Sequence, residues 1–124
     1  ISDGECDEGS TWESALFSSH HKLNNLTVII DHNNIQSFGK VSKILNLYPL
    51  AKKWKTFNWD VKEVDGHSHS DLLKNLITQK QNRPKIIIAH TIKGKGVSFM
   101  ENKLLWHYRS PNSDELKKSL ENLK

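Results

Sequence analysis

Apolar and polar positions in this chain fall into two alternating periods. Leu26 to Asp31 reads LTVIID, a short apolar, β-branched run that ends on an acid. Asp60 to Val64 (DVKEV) alternates, and Lys85 to Thr91 (KIIIAHT) is again apolar and β-branched. Such runs predict strands, and the two near-continuous ones suit strands buried on both faces. Between them the spacing turns helical. Gly9 to His21 sets Trp12, Leu16 and Phe17 at helical intervals, and Pro49 opens a segment to Phe57 that can bury Leu50, Trp54 and Phe57. Ser68 and Asp71 form a capping-box-like pair ahead of Leu72, Leu73, Leu76 and Ile77. Asn112 and Glu115 repeat it ahead of Leu116, Leu120 and Leu123.

Strand and helix therefore alternate, which predicts an α/β fold: a mostly parallel sheet with flanking helices. In such sheets ligands bind beyond the carboxyl ends of the strands, so the glycine-containing loops after Asp31 and Thr91 are the places to look. Three or four strands can be counted, the first a stub of two residues before Asp3. No internal repeat, low-complexity segment or linker interrupts the pattern.

Composition narrows the class. The 124 residues suit one domain, and only 35% are hydrophobic, which predicts a thin core. Apolar runs of four or five residues are too short to cross a membrane. The lone Cys6 excludes an internal disulfide, and with no signal-peptide pattern at the start it suggests the cytoplasm. The net charge of +4 is uneven: residues 1–21 carry −5 and the rest +9. A basic body could attract phosphates or nucleic acid, yet its lysines are scattered and no nucleic-acid-binding signature accompanies them. The acidic head is more telling, because unpartnered carboxylates make a natural cation site.

Ser2-Asp3-Gly4-Glu5 places an acid and a glycine in a tight turn ahead of a helix, where backbone N–H groups can receive a phosphate. An acid beside such a turn calls for a cation between them, which suggests magnesium. Asp31-His32-Asn33-Asn34-Ile35 follows an apolar strand and offers an amide oxygen and a backbone carbonyl to the same ion. Between Gly4 and Asn33 lie 28 residues, enough for one helix, one turn and one strand, so a βαβ crossover brings both elements to neighbouring strand ends.

An aspartate–glycine turn followed at this interval by paired asparagines resembles the thiamine diphosphate motif. The wider wording, SDGECDEGSTWESALFSSHHKLNNLTVIIDHNN, resembles the transketolase family, and HTIKGKGVSFMENKLLWHYR is similar to its later loop, especially in split-subunit members. The likeness runs from Ser2 to about Arg109. It implies the cofactors thiamine diphosphate and magnesium, with Asp3, Asn33 and the Ile35 carbonyl as metal ligands. It further implies Gly4 and Glu5 N–H groups on the diphosphate, Lys93 adding positive charge there, and His107 as the late-loop histidine at the diphosphate or the reacting sugar. Glu8 and Glu13 resemble family acids near a dimer contact. Ser2 departs from the motif, whose first residue is glycine; the turn survives that change if its φ stays negative.

The resemblance also implies transfer of a two-carbon ketol unit between sugar phosphates. No part of the chain matches the pyrimidine-binding domain, which carries the activating glutamate. A partner subunit or domain, homo- or hetero-oligomeric, is therefore expected to supply it, and the chain is expected to be inactive alone. Residues 1–124 are expected to form part of the diphosphate and metal domain, with more of it upstream. Two rival readings stay open. One is another thiamine diphosphate enzyme, such as a deoxyxylulose phosphate synthase or a dehydrogenase component. The other is a non-catalytic basic module for phosphate or nucleic acid.

Other suggestive residues read as structural. Asp3 to Gly9 lacks the glycine and glutamate that a calcium loop needs at its sixth and twelfth positions, and Gly94-Lys95-Gly96 lacks the P-loop pattern. His67 and His69 suit a helix start, His20 and His21 a helix end, and His90 a satisfied place on a buried strand. Cys6 has no activating neighbour in sequence. Trp12, Trp54, Trp59 and Trp106 read as core or interface.

Overall fold

A computed structural model describes residues 1–78 and 82–123. Its centre is a parallel sheet of three strands, β1 (Thr27–His32), β4 (Asp60–Asp65) and β5 (Lys85–His90), in the order β1-β5-β4. The α/β architecture expected from the alternating pattern is present. The stub before Asp3 also forms: Ser2 bridges Asp31 in parallel, and the Asp31 N–H donates to the Ile1 carbonyl at 2.9 Å. A β-hairpin, β2 (Ile35–Gln36) with β3 (Gly39–Lys40), sits in the loop after β1, and the apolar pattern does not announce it.

The helices are α1 (Gly9–His20), a short α2 (Val41–Ile44), α3 (Leu50–Thr56), α4 (His69–Ile77) and α5 (Ser113–Asn122). Their starts follow the expected caps. The Ser68 hydroxyl accepts from the Asp71 N–H, and Asn112 and Glu115 form a full reciprocal capping box. Pro49 is the cap of α3 rather than its first residue.

The core has two sides. On one, Ile30, Ile86 and Ile88 pack beneath α1 and α3 with Trp54 and Trp59, and Trp12 lies against them. Trp12 stacks 5.2 Å from Trp54, and the Trp59 indole N–H donates to the Ala15 carbonyl at 3.0 Å. On the other, Ile87, Ala89 and Val64 meet Leu72 of α4. Central β5 is buried from Lys85 to Ala89, whereas Ile29 of β1 is exposed.

Several helical apolar positions do not enter this core. Leu16 and Phe17 face outward, while Ala15 and Ser18 are buried and Trp12 of the same helix packs against the core. Leu73, Leu76 and Ile77 of α4 and Leu116, Leu120 and Leu123 around α5 are exposed as well. His90 is exposed too, correcting the reading of it as a core residue: it lies at the strand end and meets Glu63 at 3.1 Å. Trp106 is half-buried outside the core, edge-to-face with Phe99 and with the Arg109 guanidinium 4.4 Å above it.

Candidate functional site

The carboxyl ends of β1 and β5 open onto a cleft of about 600 Å³. Gly4 and Glu5 line it from the turn before α1, Asn33 and Ile35 from the end of β1, and Lys93 and His107 from the chain after β5. Six of the seven site residues expected from the sequence thus line one cleft. The seventh, Asp3, lies behind it at 1% exposure.

Asp3 is held from two directions. One carboxylate oxygen meets His32 Nδ1 at 2.5 Å, and the other accepts the Asn34 N–H at 2.7 Å. The bond to Asp3 keeps the His32 imidazole above its ordinary pKa of 6.5. Asn34 takes a left-handed φ of 63°, a conformation asparagine tolerates, which turns its N–H back toward Asp3. The Asn33 side-chain oxygen accepts the Ile35 N–H at 3.0 Å, and the Val41 N–H donates to the Asn34 carbonyl at 3.1 Å. Asp3 is therefore the post to which the loop after β1 is tied. Sequence reasoning assigns it to the cofactor and its metal and misses His32 and the Asn34 N–H as its partners; nothing in the wording of the loop marks them.

The turn itself is a 3-10 helix over Gly4–Asp7. Gly4 and Glu5 open it, and the first N–H groups of a helical turn find no partner inside it. Ser2, the departure from the motif glycine, is not among the residues with positive φ. Its N–H and hydroxyl donate to Glu5 Oε2 at 2.7 and 3.0 Å, bonds that hold the Glu5 carboxyl below its ordinary pKa. Thr11 Oγ1 and the Trp12 indole N–H donate to the Glu5 and Cys6 carbonyls, fastening the turn to α1. Cys6 is buried beneath it, and loss of solvation with nearby Asp3 pushes its thiol pKa up to about 12, so it is no nucleophile.

His107 closes a second 3-10 turn, Leu104–His107, which packs against β2. The loop before it is drawn in by the Asn102 N–H on the Lys93 carbonyl at 2.9 Å and the Trp106 indole N–H on the Phe99 carbonyl at 3.1 Å. Gly94, at a φ of +75°, passes so close to Met100 that a Cβ would lie 2.9 Å from its backbone. His67 Nε2 accepts the Ile92 N–H at 2.8 Å at the start of the same loop.

The electrostatics of the cleft are mixed. Glu5, Asp7, Glu8 and Asp31 line it along with Lys93 and His107. Four carboxylates lining the cleft would repel a bare anion and suit an anion bound together with a cation. Glu13, by contrast, lies outside the cleft on the exposed face of α1 with Phe17. Two buried polar atoms of the cleft residues have no partner among the described residues, Asp7 Oδ1 and Gln36 Nε2. The sequence does not single out Gln36; only its place on β2 reveals it.

Known proteins resemble this chain in sequence and fold. Residues 1–123 match the family described as transketolase, thiamine diphosphate binding domain. The chain is 42% identical over 123 residues to an apulose-4-phosphate transketolase subunit from Actinobacillus succinogenes, covering 98% of this chain and 45% of that protein. It is 41% identical over 109 residues to the 6-deoxy-6-sulfo-D-fructose transketolase subunit SqwG of a Clostridium species, covering 86% and 40%. The crystal structure of transketolase from Campylobacter jejuni superposes with a TM-score of 0.92 at 28% identity, over 99% of this chain and 20% of that one. The chain thus spans less than half the length of these relatives. With the fold and the match over residues 1–123 in agreement, the chain belongs to the transketolase family and carries its thiamine diphosphate-binding domain.

Proposed function

We propose that this chain supplies the diphosphate and magnesium site of a transketolase that moves a two-carbon ketol unit between sugar phosphates. The observation that carries the reading is the single cleft that gathers Gly4, Glu5, Asn33, Ile35, Lys93 and His107. Gly4 and Glu5 would present N–H groups to the diphosphate, and Lys93 would balance its charge. Asp3, Asn33 and the Ile35 carbonyl offer a carboxylate, an amide and a carbonyl oxygen, the hard donors that magnesium takes. They fit the ion in kind. Asn33 and Ile35 line the cleft, and each Asp3 oxygen, having accepted one hydrogen bond, keeps a lone pair. The four carboxylates lining the cleft support a metal–diphosphate pair over a bare phosphate or nucleic acid.

When bound, thiamine diphosphate supplies a nucleophilic carbon and an electron sink, chemistry that belongs to the cofactor. The chain's part is placement. His107, exposed at the cleft rim, would hold a proton at an imidazole nitrogen facing the diphosphate or the sugar. The activating glutamate would come from a pyrimidine-binding partner, and two relatives bearing the word subunit in their names support such a division. Glu8 and Glu13 would lie toward that partner, in a homo- or hetero-oligomer. Among the described residues no helix is long and apolar enough to cross a membrane, and the reduced Cys6 fits the cytoplasm.

Calorimetry on the protein assembled with its partner tests the site: thiamine diphosphate should bind with magnesium and not without it. A ketol-transfer assay run beside a pyruvate decarboxylation assay then tests the reaction. Absence of metal-dependent binding refutes the cofactor site, and decarboxylation without ketol transfer replaces transketolase with another thiamine diphosphate enzyme.

A further inference from the structure

We propose that the Gln36 side-chain amide is a further cofactor-binding group, donating from Nε2 to a diphosphate oxygen beside the Gly4 turn. This inference rests on the thiamine diphosphate reading of the cleft. Gln36 is 8% exposed, lines the cleft, and its Nε2 is buried with no hydrogen-bond partner among the described residues. A buried amide N–H without an acceptor is costly, and an apolar side chain would suit a strand position better, so the amide calls for an acceptor from outside the chain. Its place is fixed from both sides. Gln36 pairs with Gly39 across the β-hairpin. A Cβ on Gly4 would lie 3.6 Å from Gln36 Cβ and 3.7 Å from its Oε1, so the amide runs along the bare backbone of the turn. Asp7 Oδ1, an acceptor on the same cleft, is also without a partner, so the two do not satisfy each other. An amide N–H needs an oxygen acceptor, and the diphosphate is the part of the cofactor richest in them. Being neutral, Gln36 adds a donor there without disturbing the carboxylates that favour the metal.

The test replaces Gln36 in the assembled protein by Leu, close in volume with no donor, and by Glu, close in shape with an acceptor instead. Calorimetry at saturating magnesium uses thiamine diphosphate and inorganic pyrophosphate as probes, and melting is followed without either. Gln36→Leu should weaken both probes about tenfold, which is about 1.4 kcal/mol, with an unchanged or raised melting temperature. Gln36→Glu should weaken both further through repulsion. Binding of Gln36→Leu within twofold of wild type overturns the proposal, as does loss confined to thiamine diphosphate with pyrophosphate unaffected. Should Gln36→Leu fail to fold, wild-type affinity in Gln36→Glu overturns it. A wild-type protein that binds neither probe overturns the cofactor reading itself, and this inference with it.

Discussion

Asp3 carries two duties that two substitutions separate. Its carboxylate, 1% exposed, accepts from the Asn34 N–H at 2.7 Å and meets His32 Nδ1 at 2.5 Å. Asp3→Ala removes both of these part-buried bonds. Each stranded partner costs about 1–3 kcal/mol, so the loss should be about 2–6 kcal/mol. Against a usual total of about 5–15 kcal/mol this is severe, and the melting temperature should fall by about 10 °C or more. Asp3→Asn keeps the shape and one oxygen for the Asn34 N–H, so it should cost about 1 kcal/mol. It removes the charge, however, and magnesium-dependent binding of thiamine diphosphate should be lost in both variants. Urea or thermal melting of the unloaded protein reads the first duty, and calorimetry with the partner present reads the second. If Asp3→Ala melts within about 0.5 kcal/mol of wild type, Asp3 does not anchor the loop after β1. If Asp3→Asn binds with undiminished magnesium dependence, the ligand assignment is wrong.

Other perturbations follow from neighbouring contacts. Gly94→Ala forces a left-handed φ of +75° on a side chain and drives its Cβ to 2.9 Å from Met100, so it should cost at least about 1–3 kcal/mol by melting and weaken cofactor binding through Lys93. Gly9→Ala, whose Cβ meets nothing within 4 Å, is the neutral control. Lys85 is buried, its pKa pushed down by loss of solvation, and its Nζ donates to the Asn75 and Leu76 carbonyls at 2.7 and 3.0 Å. Lys85→Met should strip that C-terminal cap from α4 at about 2 kcal/mol, seen as faster amide exchange in the last turn of α4. The Asn112 N–H, with Arg109, holds the Glu115 carboxyl below its ordinary 4.5. Its folded value is the lower one, so its support for α5 is present above pH 4.5 and fades as pH falls below that. Amide exchange in α5 should quicken there, and Glu115→Gln should flatten the dependence.

The sequence by itself determined the local elements and the wording of the site. β-branched runs, helical spacing and capping pairs depend on near neighbours, so β1, β4, β5, α1, α3, α4 and α5 were legible within a residue or two. The interval between Gly4 and Asn33 foretold that two loops would meet, because chain length and parallel crossover leave little choice. What the tertiary structure decided was which faces are covered. Ile29 and Ile87 read alike in sequence and pair across the sheet, yet Ile87 is buried in the cluster that Leu72 of α4 packs against while Ile29 is exposed. Leu16 and Phe17 keep helical spacing but are exposed, while Trp12, Ala15 and Ser18 of the same helix carry its packing. The roles of Asp3 and Gln36 belong to the same kind of knowledge. A carboxylate's partners and an amide's lack of them are set by contacts between distant segments, and no spacing along the chain encodes those.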